Sequence, residues 1–215
     1  MPSRAYHDSL WEGLPEGLEP ADALMREAFL LERVDAIGKR LGRVPRALDI
    51  GCGEGYFASA LARRGVQVVA IDVAGEPLRR AAARHPALDL RLVEPEAPLP
   101  LEDASFDVVW AGETIEHVAD TAGWLSGLRR VLRSGGVLLL STPDHGPLSR
   151  LLMALGPKAF EASFDPLSDH LRFYTRPALV KLLVDFGFEE VVVKGAGGLP
   201  GARRVLLASG RRRRF

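Results

Sequence analysis

The sequence predicts an α/β fold built on a parallel sheet with helices on both faces. Three observations predict it. Short runs that are apolar on both faces alternate with helical segments, the pattern of βαβ units around a buried parallel sheet. A glycine-rich turn, Gly51-Cys52-Gly53-Glu54-Gly55, joins the first of these runs to a helix. An acid, Asp72, ends the next run. The 215 residues suit one large domain. With 47% hydrophobic and 26% charged residues, the composition is that of an ordinary globular protein.

Residues 1–20 hold Pro2, Gly13, Pro15, Gly17 and Pro20 and read as an irregular arm, with Tyr6, Trp11 and Leu14 too apolar for a linker. Over residues 21–41, Leu24, Ala28, Leu31, Val34 and Leu41 fall near helical spacing. Asp22 or Pro20 would start this helix, and Gly42 suits the position after its end. Residues 47–50 form a short strand, residues 57–64 a helix stopped by Gly65, and residues 66–71 a strand rich in β-branched residues. A helix over 76–84 and a strand over 88–93 follow. Pro95, Pro98 and Pro100 force a loop before a fourth strand at 106–110. Asp120 caps a helix over 121–133, Gly135-Gly136 close it, and 137–141 is a fifth strand. Pro143, Pro147, Pro157 and Pro166 interrupt the rhythm across 143–170. A helix over 176–186 and strands at 189–193 and 205–208 resume it. The crossovers between parallel strands should be right-handed.

Lys+Arg and Asp+Glu both count 28, which argues against bulk electrostatic capture of nucleic acid. The run Arg211 to Arg214 reads as a solvated end. Cys52 is the single cysteine and reads as a small buried contact, so no internal disulfide or cysteine-rich metal site is available. No apolar run approaches the ~20 residues of a membrane span, and Met1 to Trp11 hold no signal-type apolar stretch. The expectation is a cytoplasmic protein with no stable membrane insertion. The chain has no Asn and a single Gln, Gln67. Thermophily and a GC-rich genome account for this about equally well.

Strand, Asp49-x-Gly51-x-Gly53-x-Gly55, then helix is a nucleotide-type arrangement. Glycines let the backbone turn tightly and approach a ligand, and the helix start offers free N–H groups. Asp72 could accept hydrogen bonds from both hydroxyls of a ribose. The spacing G-x-G-x-G departs from the dinucleotide G-x-G-x-x-G, which disfavours an NAD-type reductase. No Gly-Lys-Ser/Thr is present for a nucleoside triphosphate.

Leu48 to Gly55 resembles the first motif of class I S-adenosylmethionine (SAM)-dependent methyltransferases. Ala70-Ile71-Asp72 resembles their second motif, Ser105-Phe106-Asp107-Val108-Val109 the entry to their fourth strand, and Leu132 to Leu138 the entry to their fifth. The motifs come in family order across residues 46–141, with a looser match to 193. Glu113-Thr114-Ile115-Glu116-His117-Val118 and residues 141–186 look most like the ubiquinone-pathway O-methyltransferases. The resemblance implies one Rossmann-like domain over 1–215, with a doubly wound, mostly parallel, seven-stranded sheet. An N-terminal arm and helix (1–42) and a lid insertion (143–175) would cover the acceptor pocket. It implies SAM as cofactor and S-adenosylhomocysteine as product. Asp49, Gly51, Cys52, Gly53 and Gly55 would surround the methionine part, Asp72 the ribose and Val73 the adenine. Ala111 and Gly112 would line the other side. The family's adenine-binding Asp is missing: Pro95 stands at its position, so Glu94 or Glu96 would substitute, Glu94 preferred.

Methyl transfer from a sulfonium is an in-line displacement, so alignment and exclusion of water matter most. A hydroxyl acceptor would gain from a general base. His117, just after the fourth strand, and His170, beside Asp169, are the catalytic candidates. Each also has a structural reading, as a turn-fixing side chain or a neighbour of a helix start. Glu113, Glu116 and His117 have the chemistry to ligate a divalent ion, but a solvated acidic turn is preferred and no metal is assigned. His7 and His85 read as surface residues and His145 as a loop residue. Leu148, Leu151, Leu152 and Leu155 recur at helical spacing. They suit packing on the body, or the apolar face of a lid for a hydrophobic acceptor or a membrane carrying one. The expected function is methyl transfer from SAM to a small-molecule acceptor, at oxygen. The rivals are N- or C-methylation, sugars included, and a non-catalytic SAM-binding sensor or scaffold.

Overall fold

The computed structural model describes residues 4–156, 160–161, 168–199 and 202–214. Seven strands pair into one sheet: β1 (Arg46–Ile50), β2 (Gln67–Asp72), β3 (Asp89–Leu92), β4 (Phe106–Gly112), β5 (Leu132–Pro143), β6 (Phe188–Ala196) and β7 (Val205–Arg212). Their order is β3-β2-β1-β4-β5-β7-β6. The first five run parallel, and β7 runs antiparallel to both β5 and β6. The order reverses between β1 and β4, where open α/β sheets leave a crevice at the carboxyl ends of the strands. The helices are α1 (Arg4–Glu12), α2 (Ala23–Leu41), α3 (Tyr56–Arg63), α4 (Gly75–Arg84), α5 (Thr121–Val131), α6 (Pro147–Leu155) and α7 (Arg176–Asp185).

Alternation along the strands builds both layers. Leu48, Ile50, Val69 and Ile71 face a core shared with Leu125 and Leu128 of α5 and Leu179 and Leu183 of α7. Ala47, Val108, Trp110 and Leu139 face the opposite core with Leu30, Val34 and Ile37 of α2 and Phe57 of α3. Trp110 is fully buried there, its ring 5.1 Å from that of Phe57. A parallel sheet needs exactly such cover on both sides, because its strands are apolar in both directions.

Three expectations are corrected. Residues 4–12 form a helix within the arm read as irregular. It buries no residue of its own and is held by long-range polar contacts described below. Asp22 does start α2, as expected, with its carboxylate paired with Arg204 rather than capping the helix. Gly135 and Gly136 do not close α5; that helix ends at Val131 and both glycines lie inside β5. Arg211 and Arg212 are not a solvated end but the last residues of β7. Arg211 pairs with Glu189 and Glu190, and Arg212 donates to the carbonyls of Arg130 and Leu132.

The lid expected over 143–175 falls partly outside the described residues, with Pro157 and Pro166 and the side chain of Leu152. The described part contains α6, whose Leu148, Leu151 and Leu155 are exposed. No helix among the described residues is long and apolar enough to cross a membrane.

Asp107, in the motif entering β4, fastens the α2–β1 linker to β4 and β5. Its carboxylate accepts two hydrogen bonds from Arg43, one from Arg133 and one from the Arg46 N–H, all at 2.8 Å. Burial alone would raise its pKa, but these donors win and bring it from 3.8 to about 2. A lowered carboxyl pKa stabilises the fold above the unfolded value, and that stability is lost as pH falls towards the folded one. Asp107→Asn is therefore expected to cost about 1–2 kcal/mol near neutral pH, after allowing for solvent screening of the half-exposed arginines. The deficit should shrink between about pH 4 and pH 2. Urea denaturation of both proteins across that range checks it, and a pH-independent difference would assign the effect to packing.

Candidate active site

A cavity of about 450 Å3 opens at the carboxyl ends of β1, β2 and β4. Ile50, Ile71 and Val93 contribute apolar lining, and Gly51, Asp72, Val73, Thr114 and His117 also line it. It continues past Pro95 and Leu99 to Trp124 of α5.

The glycine loop is shaped from beneath. Gly51 N and Cys52 N donate to Ile71 O at 2.9 and 3.1 Å, which folds the turn back over β2. Gly51 has φ 69°, and a Cβ there would lie 2.6 Å from Thr114 Oγ1, so only glycine fits. Gly53 sits under the ring of Trp11, and Gly55 ends the loop as the residue before α3. Cys52 is buried with its Sγ on Gly53 O. Asp49 lies below the loop, fully enclosed. Burial drives its pKa up to about 7, against the Ala58 N–H that favours the charge. The structure thus gives Asp49, Cys52 and Gly55 places that shape the loop and not its cavity-facing wall.

Asp72 is the hinge of the arrangement. Oδ2 accepts from Gly53 N at 2.8 Å and Oδ1 from Ala74 N at 2.9 Å. One carboxylate therefore ties the glycine loop to the start of α4 while lining the cavity. Burial raises its pKa and these backbone donors oppose the rise. Each oxygen keeps acceptor capacity for a ligand hydroxyl.

The N-terminal arm lies over this end of the cavity. Asp8 Oδ1 accepts from Gly75 N and Glu76 N, at 2.7 and 3.0 Å, and so caps α4 from outside. Buried Arg80 donates to Trp11 O and Leu14 O and pairs with Glu54 of the glycine loop; Glu54 in turn accepts from Gly17 N. His7, expected at the surface, lines the cavity.

Three further placements differ from the sequence reading. The Glu94 side chain is 68% exposed and paired with Arg4 of α1, on a residue that lines the cavity. Glu96 is also committed, accepting from Ala119 N and Asp120 N at 3.0 and 2.9 Å. Ala111 is buried in the α5-side core and does not reach the cavity. Gly112 faces Arg26 and Trp110, where a Cβ would lie 2.6 Å from Arg26 Nη2. After β4 the cavity wall is made instead by Thr114 and His117.

Beyond the glycine loop, cavity-lining His117 meets His170 edge to face with ring centres 4.8 Å apart. His117 Nδ1 lies 3.0 Å from Asp169 O, and its Nε2 lies 4.0 Å from Glu116 Oε1. Burial lowers the His117 pKa, the Asp169 carboxylate opposing it. Burial and neighbouring Glu113 raise that of Glu116. The turn carrying these residues is no solvated acidic turn: the Glu116 side chain is 1% exposed, with Oε2 accepting from Thr142 Oγ1 at 2.9 Å. His145 meets Phe173 edge to face, with ring centres 4.9 Å apart. Arg26 of α2 was not singled out in the sequence. It is buried at 2% exposure, over the Phe57 ring, and within electrostatic reach of Glu113, Glu116 and Asp49. An arginine in an otherwise apolar helix face was the signal that could have found it.

Comparison with known proteins adds a separate line of support. Residues 48–140 match the methyltransferase domain family. A ubiquinone biosynthesis O-methyltransferase of Psychrobacter arcticus is 32% identical, over 76% of this chain and 66% of its own. A probable S-adenosylmethionine-dependent methyltransferase of Mycobacterium tuberculosis is 35% identical, over 79% of this chain and 59% of its own. The chain thus spans at most about two thirds of these curated relatives. Among solved structures, a SAM-dependent methyltransferase of Methanosarcina mazei superposes with a TM-score of 0.59 at 26% identity, covering 80% of this chain and 93% of that one.

Proposed function

Because the chain belongs to the class I SAM-dependent methyltransferase family, we propose that it transfers the SAM methyl group to a small-molecule acceptor at a hydroxyl oxygen. The observation that carries this is a single cavity lined by Gly51, Asp72 and His117 together. SAM would lie with its ribose on Asp72, its adenine between Val73, Pro95 and Leu99, and its methionine part over the glycine loop. Arg26, buried beside Gly112, would serve the methionine carboxylate. Val93 and Leu99 would clasp the adenine by apolar contact, since Glu94 and Glu96 are turned to other partners.

That pose directs the sulfonium towards His117 and His170. His117, which lines the cavity, or His170, whose ring meets it, would accept the proton of an acceptor hydroxyl as its oxygen attacks the methyl carbon. The methyl–sulfur bond breaks as the oxygen–methyl bond forms, and S-adenosylhomocysteine leaves. The relative named as an O-methyltransferase supports oxygen as the acceptor atom. The N-terminal arm and the 143–175 segment would close over the acceptor in one catalytic domain. The exposed leucines of α6 suit an apolar acceptor.

Calorimetry with SAM, S-adenosylhomocysteine and NAD tests the cofactor. The first two should bind and NAD should not; NAD binding without SAM binding would sink the reading. Methyl transfer from labelled SAM to a panel of phenols, amines and sugars then tests the acceptor atom, with transfer confined to phenols expected.

A further inference from the structure

We propose that His7, carried by the N-terminal arm, is a specificity-determining residue of the cofactor site, its imidazole accepting a hydrogen bond from the adenine amino group. This role rests on the SAM reading. It also answers a question that reading leaves open, namely which group serves the amine where Pro95 stands in place of an acid.

The first observation is the stripe that α1 lays on the body. Arg4, His7, Asp8 and Trp11 recur at i, i+3, i+4 and i+7, one face of a helix. Three of the four are docked. Arg4 pairs with Glu94, just beyond β3. Asp8 Oδ1 accepts from Gly75 N and Glu76 N, just beyond β2. The Trp11 ring covers Gly53, just beyond β1, where a Cβ would lie 3.0 Å from it. The stripe therefore crosses the carboxyl ends of β3, β2 and β1 in turn. His7 lies on it between the Arg4 and Asp8 anchors, over the ends of β3 and β2.

The second observation is that this fourth side chain reaches the cavity. His7 is half-buried and lines it together with Val73, Val93, Pro95 and Leu99, the residues about the adenine in the proposed pose. It is also within electrostatic reach of Asp72, on which the ribose would rest. The Tyr6 ring meets the imidazole edge to face, with centres 5.6 Å apart, and restrains its orientation.

The third observation concerns the two acids beside Pro95. Glu96 gives one carboxylate oxygen to Ala119 N and the other to Asp120 N. Glu94 Oε1 takes Arg4, and its side chain is 68% exposed, so water competes for what remains. A neutral imidazole, by contrast, offers one acceptor nitrogen from inside the cavity wall. A site that hydrogen-bonds a ligand group rejects the analogue lacking it, so this contact would select for the amine.

The test is calorimetry on the full chain at about pH 8, where an ordinary imidazole is neutral. The ligands are S-adenosylhomocysteine and its 6-deamino analogue, in which hydrogen replaces the amino group. Wild type should prefer the first by about three- to tenfold, the worth of one neutral hydrogen bond. In His7→Ala the preference should vanish. In His7→Gln, whose carbonyl oxygen can accept, it should return in part. α1 buries no residue, so both variants should melt as wild type does. A histidine that only holds the arm in place would behave otherwise: its loss would weaken both ligands alike and leave their ratio unchanged. That result, or a wild type that binds both ligands equally, overturns the assignment and leaves the cofactor reading standing. A wild type that binds neither ligand overturns the cofactor reading, and this contact with it.

Discussion

Asp72→Ala is expected to lower the affinity for SAM and S-adenosylhomocysteine by about 100-fold or more. Two losses combine. In the proposed pose the carboxylate accepts from both ribose hydroxyls, and truncating hydrogen bonds to a charged group costs about 1.5–3 kcal/mol each. Two such contacts exceed the ~2.8 kcal/mol that corresponds to 100-fold. The second loss is in the free protein. Gly53 N and Ala74 N would lose their shared acceptor, so the glycine loop and the start of α4 would no longer be tied together. Asp72→Asn separates the two, because its remaining carbonyl oxygen can serve one backbone N–H. It should fall between wild type and alanine. Calorimetry with S-adenosylhomocysteine measures all three, and an unchanged affinity in Asp72→Ala would show that the ribose lies elsewhere.

The part of this site that the sequence exposes is the part made locally. β1, the turn through Gly51 and Gly55, α3 and β2 follow one another directly, and each carries its own signal: β-branched runs, glycines where φ is positive, an acid at a strand end. Apolar runs likewise mark the strands, most plainly the central β1 and β4, which are buried on both sides, while edge strand β3 is largely exposed. What the sequence hides is set by distant partners. α1 buries nothing and would be marginal alone, yet it is held by Asp8 on α4 and by Arg4 on Glu94. Those contacts pair Glu94 with Arg4 and bring His7 to the cavity, two outcomes that no local pattern carries.

The acidic turn after β4 shows the same limit most sharply. Glu113 to Val118 reads as a polar, solvated stretch because only two of its six residues are apolar. Its burial comes from Thr142 on β5, Arg26 on α2 and the backbone of Leu171 and Arg172, none of them neighbours in sequence. Tertiary context overrides composition wherever a polar group has its partners supplied from elsewhere. The β7 arginines follow the same rule. Gly210 and Arg211 are poor strand formers, but β5 continues opposite them as Leu138 and Val137, and an unpaired β5 edge would be left without them.

His117→Ala is expected to lower methyl transfer by about 10²–10⁴-fold, the usual range for removing a proton-transfer group, while leaving SAM affinity close to wild type. The separation follows from where the ring sits. It lines the cavity from the turn after β4, outside the glycine loop, with its Nδ1 on Asp169 O and its Nε2 towards Glu116. Nothing in the glycine loop depends on it. A purely structural histidine would behave otherwise: its loss would loosen the 169–172 segment and reduce melting temperature without selectively reducing turnover. His170→Ala should also slow transfer, because its ring packs on that of His117. The double variant should be little worse than the poorer single one, since groups that act on the same oxygen are strongly non-additive. Single-turnover transfer from labelled SAM to the best phenol in the acceptor panel reads the chemical step directly. Additive losses would place the two histidines in separate roles, and full turnover in His117→Ala would move the reacting oxygen to another part of the cavity.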